Sequence, residues 1–423
     1  MRLARGEPRP TLWAAIPIDN TDDWEKESAN MASIYQNSYL NIAASTAPDS
    51  NGGCLYTPKP ATSFQFQTSR TYGRGQQQLN GPEAIPQTAF VRPSGSIRSL
   101  ETSPLNTRAW VLQEVFLSRR TIHFTEDQIY WFCAERRASE DGTLQSINTY
   151  GNHHGLVLGP PQWDTLQKPH IDRAFTYTMW WWLVEDYSSR ALTNSNDKMA
   201  ALAGLTTYFQ KKLGDDPLAG MWRAELLDSL CWSYDIHKAR ASTALPGAPS
   251  FSWVSADGSI KRNCCRLPAE LPRQRMDRDL DILSANISWS GQPLTSQITG
   301  GKLVGRGLLV EINFALDEGQ RCTNCSSDHS CRLLLLRGES RVGRFRFDRY
   351  CVALTGVVCC LAVTYKRVTL NFPPPQDSVY TWFHVLILES TGNKDEFRRV
   401  GVGKVWENSG VFENVEPRVV QIV

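Results

Sequence analysis

The stretch of residues 103–133, SPLNTRAWVLQEVFLSRRTIHFTEDQIYWFC, constrains the fold of this chain more than any other. In its first part Trp110, Gln113 and Leu117 lie three or four residues apart, which predicts a helix with these side chains on one flank. From residue 119 the period changes to two, and β-branched and aromatic residues predict two strands joined at residues 125–127. A helix followed by a Trp-rich hairpin is a compact way to hold charged side chains against an apolar wall.

Several residues of this stretch also match a motif of a known family. The matching residues are Leu105, Asn106, Arg108, Trp110, Gln113, Glu114, Leu117, Ser118 and Arg120. Together they resemble the R-x-W-x-x-Q-E-x-x-L-S-x-R block that closes the fungal heterokaryon incompatibility (HET) domain. The agreement is dense enough to indicate the family, and it says much less about the chemistry.

An amphipathic helix followed by a short apolar strand is predicted upstream of this stretch. The residues at helical spacing are Trp24, Ser28, Met31 and Tyr35. The apolar residues 39–44 follow as a buried strand, and a helix leading into such a strand is half of a βαβ unit. We therefore expect a parallel α/β sheet. This segment also resembles the HET family at Asp19, Asp23, Trp24, Met31 and Tyr35.

The beginning of the chain departs from the family pattern. After Trp13 it lacks the aspartate and cysteine of the family, and the opening Y-x-x-L-S-Y-x-W-G block is absent. We therefore expect an incomplete parallel-sheet lobe, of the type seen in TIR domains, with an exposed apolar edge. Either the sequence is truncated or mis-assembled at its start, or this is a degenerate family member.

Three regions follow from the pattern of elements along the chain. Residues 1–134 are predicted to form the partial HET domain, with a variable loop insertion at 45–102 that is rich in Ser, Thr, Gln, Gly and Pro. Residues 135–258 are predicted to be a helical region whose last helix spans 218–232. Residues 259–423 contain short β-like runs separated by turn residues, which favour a mostly antiparallel sheet or sandwich.

Composition excludes several classes of function. The net charge of +2 is too small to indicate binding to nucleic acid or to an anionic membrane surface. The longest apolar run, residues 357–363, is far below the roughly 20 residues that a membrane helix needs. Eleven cysteines, an odd number that includes adjacent pairs, favour reduced thiols over a disulfide framework. We therefore expect a cytoplasmic protein without nucleic-acid or membrane partners.

The strongest candidate site is Arg108 with Glu114, flanked by Trp110, Gln113 and Arg120. A carboxyl group held between an arginine and aromatic rings can bind a sugar, a ribose or a nucleotide, or take part in bond cleavage at a glycosidic carbon. Glu114 is the catalytic candidate, and the other four residues are the binding candidates. The alternative is that Arg108 and Glu114 form structural salt bridges that join the helix to the sheet.

The family resemblance implies two functions of different classes. HET domain proteins act in non-self recognition that triggers incompatibility cell death, so the resemblance implies a signalling effector with protein partners or self-association. HET domains are also likened to TIR domains, some of which hydrolyse NAD with a glutamate, and this implies NAD as a substrate of Glu114. Under the first function no cofactor is expected. A third interpretation is a remnant without activity.

A second group of residues has the chemistry of metal ligands. Cys322, Cys325, His329 and Cys331 are ligand types that zinc prefers, but they fall within one short loop without a distant second pair. Free thiols on a surface loop are the favoured interpretation. The acidic residues between positions 22 and 27 need no ion either, because acidic side chains are stabilised in the first turn of a helix. No metal is therefore predicted.

Overall fold

The computed structural model describes most of the chain in fifteen stretches. These are residues 21–49, 51–54, 62–68, 85–91, 100, 102–133, 136–143, 145–146, 173–235, 245–256, 258–262, 280–316, 333–348, 355–371 and 377–423. They form a small mixed sheet with its helices, a helical layer, and a nine-stranded sheet. Among these residues no helix has both the length and the apolar character needed to cross a membrane.

The first lobe is built around a five-stranded sheet. Its elements are α1 (Thr21–Gln36), β1 (Asn41–Ala44), β2 (Thr62–Thr68), β3 (Ile85–Val91), α2 (Ala109–Leu117), β4 (Arg120–Phe124), β5 (Ile129–Cys133), β6 (Arg137–Ser139) and β7 (Gln145–Ser146). The strand order is β1-β4-β5-β6-β7, with β1 and β4 parallel and the other pairs antiparallel. The predicted central helix and the hairpin after it are confirmed.

The predicted parallel sheet is confirmed in part. Within the described residues, parallel pairing in this sheet is confined to β1 and β4. The strands from β4 to β7 follow one another through short turns, and short turns join antiparallel neighbours, whereas a parallel neighbour needs a long crossover. A mixed sheet therefore takes the place of the expected TIR-like parallel arrangement.

The region predicted as a loop insertion contains a hairpin. Strands β2 and β3 pair antiparallel over seven residues each, in register from Thr62 opposite Val91 to Thr68 opposite Ile85. The sequence TSFQFQT carries the signal, because apolar and polar residues alternate with period two as they do in a half-buried strand. The loop prediction rested on the polar composition of the whole region and did not take this short alternation into account.

A helical layer follows the first lobe. Its elements are α3 (Arg173–Ser188), α4 (Ala200–Leu213), β8 (Pro217–Leu218), β9 (Met221–Trp222), the single turn α5 (Leu226–Ser229), β10 (Trp232–Tyr234) and β11 (Ile260–Arg262). The first two helices agree with the helical character predicted for residues 135–258. Helix α3 buries four aromatic side chains, and α4 ends at Gly214 in the left-handed conformation that closes many helices.

The helix predicted over residues 218–232 is wrong. Ala219 and Gly220 have φ angles of 45° and 78°, so the chain reverses between β8 and β9 where a helix would continue. The Gly220 carbonyl oxygen accepts hydrogen bonds from the indole N–H groups of Trp180 and Trp253, at 3.0 and 2.8 Å. Two buried tryptophans therefore stabilise this tight turn, although the local spacing of apolar residues favours a helix.

The C-terminal part is a nine-stranded sheet that closes on itself. Its strands are β12 (Asp281–Trp289), β13 (Ile298–Gly307), β14 (Leu309–Leu316), β15 (Leu333–Arg337), β16 (Ser340–Phe347), β17 (Thr355–Asn371), β18 (Asp377–Ser390), β19 (Glu396–Trp406) and β20 (Arg418–Ile422). Because β19 pairs with both β16 and β18, six strands form a closed ring, and β20, β13 and β12 extend from it. The mostly antiparallel prediction is confirmed, with a ring in place of a two-sheet sandwich.

One continuous core joins the three parts of the structure. Buried side chains of α2, α3 and α4 pack together with those of β12, β13, β19 and β20, and a second cluster fills the inside of the ring. The junction holds a fully buried arginine, Arg399 on β19, which donates to the Asp348 carboxylate at 2.7 and 3.1 Å. Its other N–H groups reach the carbonyl oxygens of Leu230 and Trp232, both at 2.6 Å. The division into three domains stays a prediction.

Candidate functional site

Helix α2 is almost entirely buried, so only a few of its side chains can contact a ligand or a partner. Seven of its nine residues are buried. The two that remain partly accessible are Trp110 and Glu114, which are four residues apart and therefore lie on the same flank. The chain enters the helix through a 3-10 turn, Leu105–Thr107, and an extended residue, Arg108.

The carboxyl group of Glu114 contacts a tyrosine from helix α1. The Tyr35 hydroxyl donates to Oε2 of Glu114 at 2.7 Å. Burial raises the pKa of Glu114, while the hydrogen bond from Tyr35 and the charge of Arg108 act in the opposite direction without cancelling it. Burial, together with the neighbouring carboxylate, also raises the pKa of Tyr35. Because Glu114 is partly accessible and its pKa is raised, its carboxyl group binds a proton more readily than an ordinary glutamate does.

Two arginines lie within electrostatic range of Glu114. Arg108 is exposed, and in the described part of the chain it forms no ion pair with the carboxylate, although its charge lowers the pKa of Glu114. The backbone around Arg108 pairs with Ala191, since Ala109 N–H donates to the Ala191 carbonyl at 2.9 Å. This bridge brings the neighbouring Arg190 close enough for its charge also to lower the pKa of Glu114.

Arg190 is buried and only partly satisfied. Its guanidinium donates through Nε and Nη2 to the Asp186 carboxylate, at 3.1 and 2.9 Å. The third nitrogen, Nη1, is buried and finds no hydrogen-bond partner within the described part of the chain. The expected salt bridge between Arg108 and Glu114 is therefore replaced by an ion pair between Arg190 and Asp186, and Glu114 pairs with Tyr35.

Gln113 and Trp110 have contacts that point away from the Glu114 carboxyl group. The Gln113 side-chain amide donates to the Met31 sulfur at 3.1 Å, while its oxygen is buried and has no partner among the described residues. The Trp110 indole packs against the core and hydrogen-bonds to the carboxylate of Asp197, whose pKa is raised by burial and lowered by this bond. The structure therefore places both residues in helix packing, and their predicted binding roles stay predictions.

Arg120 lies apart from this group. Its guanidinium is 5.1 Å from the ring centroid of Tyr39, next to the start of β4. The structure thus brings together Glu114 and Tyr35 with the charges of Arg108 and Arg190. Sequence reasoning missed Tyr35 and Arg190 as site residues, although Tyr35 lies in a segment that matches the family pattern.

The site occupies an unusual edge of the sheet. Helices α1 and α2 each lead directly into a parallel strand, β1 and β4, so the ends of the helices that carry Tyr35 and Glu114 lie at the amino ends of these strands. In open α/β sheets, ligand sites form outside the carboxyl ends of the strands. The position of Glu114 is therefore better suited to joining two helices than to the usual nucleotide site of such a fold.

The remaining sequence candidates lie outside the described residues. Cys322, Cys325, His329 and Cys331 belong to them, as do the side chains of the acidic residues at positions 22–27. Among the residues that the structure describes, no group of three or more metal-ligating side chains is close enough to hold an ion.

The fold and the site together define a class of protein: a mixed α/β lobe with a half-buried carboxyl group on its central helix, joined to a helical layer and a closed antiparallel sheet. The family model described as heterokaryon incompatibility protein (HET) matches residues 1–114. The predicted resemblance is confirmed over this segment, which includes Arg108, Trp110 and Gln113 and ends at Glu114, and the chain is consistent with an HET domain protein. No curated protein and no solved structure matches the chain.

Proposed function

We propose that this protein is a cytoplasmic effector of fungal heterokaryon incompatibility, which signals programmed cell death on non-self recognition. The observation that carries the proposal is the HET family match over residues 1–114. The geometry at the end of this match supports the proposal, because the Glu114 carboxyl group accepts a hydrogen bond from the Tyr35 hydroxyl and so links helix α2 to helix α1. Partners are proteins of incompatibility signalling or further copies of the chain.

Inducible expression in a fungal cell tests this proposal. We expect the wild-type chain to arrest growth and kill, and Glu114→Gln to reduce killing because the Tyr35 hydroxyl then faces a neutral amide. Glu126→Gln is the matched control, since Glu126 is exposed in the hairpin turn of the same lobe. Survival of cells that contain abundant, folded wild-type protein would refute the effector function and favour the remnant.

A second candidate function is cleavage of NAD, and the partly accessible Glu114 carboxyl group, with the charges of Arg108 and Arg190 nearby, favours it. In this reaction the bond between the ribose C1′ and the nicotinamide nitrogen breaks, and its electron pair leaves with nicotinamide. Water adds at C1′ and loses a proton, and the Glu114 carboxylate stabilises the positive charge that develops on the ribose. The amino-end position of the site and the hydrogen bond from Tyr35 make this function the second choice.

Incubation of purified protein with NAD separates the two functions. Release of nicotinamide that disappears in Glu114→Gln supports the enzyme. Killing without nicotinamide release supports an effector that acts through protein contacts alone.

A further inference from the structure

One corner of the first lobe exposes an aromatic ring. Tyr39 precedes strand β1 and is 70% exposed, more than the other exposed large apolar side chains in the described residues. Those are Leu283 at 54%, Val357 at 61% and Val419 at 45%. A large ring exposed between a helix and a strand offers both apolar area and a hydroxyl group to a contacting molecule.

Three arginines lie at the same end of the sheet as this ring, and one of them contacts it. Arg120 begins β4, and its guanidinium is stacked 5.1 Å from the Tyr39 centroid. Arg119 immediately precedes it and is exposed. Arg136 is brought alongside by Cys133, which lies opposite Arg120 in the sheet and donates its N–H to the Arg136 carbonyl at 3.0 Å. We call Tyr39, Arg119, Arg120 and Arg136 the arginine corner.

The charge of the arginine corner is not neutralised by any ion pair in the described part of the chain. The ion pairs found there join other residues. The described acidic residues of the same hairpin, Glu126 and Asp127, lie in the turn at the opposite end of the strands. Three guanidinium groups with their forked donors remain available at one edge, and such forks match the geometry of carboxylates.

We propose that the arginine corner docks a carboxylate-rich segment of a partner protein, with an apolar side chain of that segment resting on Tyr39. Arginine and tyrosine are the residues that most often dominate protein interfaces, and here they are already stacked. A protein segment fits better than a nucleic acid, because three cations on a chain of net charge +2 make a local patch and not a track along a phosphate backbone. The inference goes beyond the proposed function and does not depend on it.

Fluorescence anisotropy with a labelled peptide of sequence EEELEEE tests the docking site. We expect the wild-type protein to bind it with an affinity that falls as salt rises, and Arg119→Glu with Arg120→Glu to weaken binding at least tenfold. Tyr39→Ala should weaken binding about threefold through the lost apolar contact. The matched control is Arg341→Glu with Arg398→Glu, which makes the same charge change at exposed positions of the C-terminal sheet and should alter binding less than twofold.

Four outcomes would overturn the proposal. They are absence of peptide binding by the wild-type protein, an equal loss in the control, tighter binding of a single-stranded 20-nucleotide DNA that the corner variants abolish, and loss of self-association in these variants without peptide binding. The last two would assign the corner to a nucleic acid or to a second copy of the chain. Equal urea midpoints of the variants exclude unfolding as the cause of a loss.

Discussion

A buried histidine makes the stability of the first lobe depend on pH. His123 on β4 is fully buried, with Nδ1 3.2 Å from the Ser45 hydroxyl oxygen and its ring edge-on to Phe132. Its Nε2 has no hydrogen-bond partner among the residues that the structure describes. Burial lowers the pKa of His123 to about 3, because a charged imidazolium would lose its hydration in this site.

The magnitude follows from the difference between the folded and unfolded pKa values. In the unfolded chain the imidazole takes up a proton below a pKa of about 6.5, while in the folded chain it stays neutral down to about pH 3. The contribution of His123 to stability is therefore fully present above pH 6.5 and is lost as the pH falls towards 3. At pH 4.5, two pH units below the unfolded pKa, the loss amounts to about 2.7 kcal/mol.

Urea unfolding at pH 7.5 and pH 4.5, compared between the wild type and His123→Gln, measures this effect. The neutral amide cannot take up the proton, so the wild type should lose about 2.7 kcal/mol more than the variant between the two pH values. Groups that titrate elsewhere cancel in this comparison. The ring resonances of His123 should also stay constant in NMR spectra between pH 7.5 and pH 5. Equal pH dependence of the two proteins, or a titrating resonance near pH 6.5, would refute the reasoning.

Three further predictions concern packing and the site. Arg399→Lys should lower the free energy of unfolding, measured in urea, by about 3 kcal/mol, because lysine cannot reproduce the forked, fully buried set of donors. The control Arg398→Lys, at the exposed neighbouring position, should change this free energy by less than about 0.5 kcal/mol. Gly204→Ala should lower the free energy of unfolding by about 1–3 kcal/mol, since a Cβ there would lie 2.6 Å from a side chain of α1. Gly300→Ala is the control, because a Cβ there would meet no described atom within 4 Å, and thermal unfolding should show little change. Tyr35→Phe should raise the pKa of its carboxyl partner on α2 further, measured by carbon-detected NMR titration, and an unchanged or lower value would contradict the assigned hydrogen bond.

Local spacing predicted the elements whose stability depends on near neighbours. The helix over residues 109–117 and the hairpin after it were readable because the period of apolar residues changes from about 3.6 to two. The β-like runs after residue 259 also match observed strands. The spacing of apolar residues wrongly predicted a helix over residues 218–232. There the hydrogen bonds from two buried indoles stabilise a left-handed turn, and they outweigh the local preference for a helix.

The site shows the same division between near and distant interactions. Glu114 and its family block were identified from the sequence alone, but its hydrogen-bond partner Tyr35 lies 79 positions away. Arg190, which replaces Arg108 as the ion-paired arginine, is brought there by the bridge between Arg108 and Ala191. Which side chains are partly accessible on α2 depends on what packs around the helix.

The sequence by itself determined the family resemblance, the central helix and hairpin, and the antiparallel character of the C-terminal half, since each of these depends on residue types a few positions apart. Tertiary structure alone decided that β18 and β19 close a ring, that Tyr35 covers the carboxyl group, and that the arginine corner gathers at one end of the sheet. These features depend on contacts between distant segments, whose free energy comes from burial and pairing that no local spacing encodes.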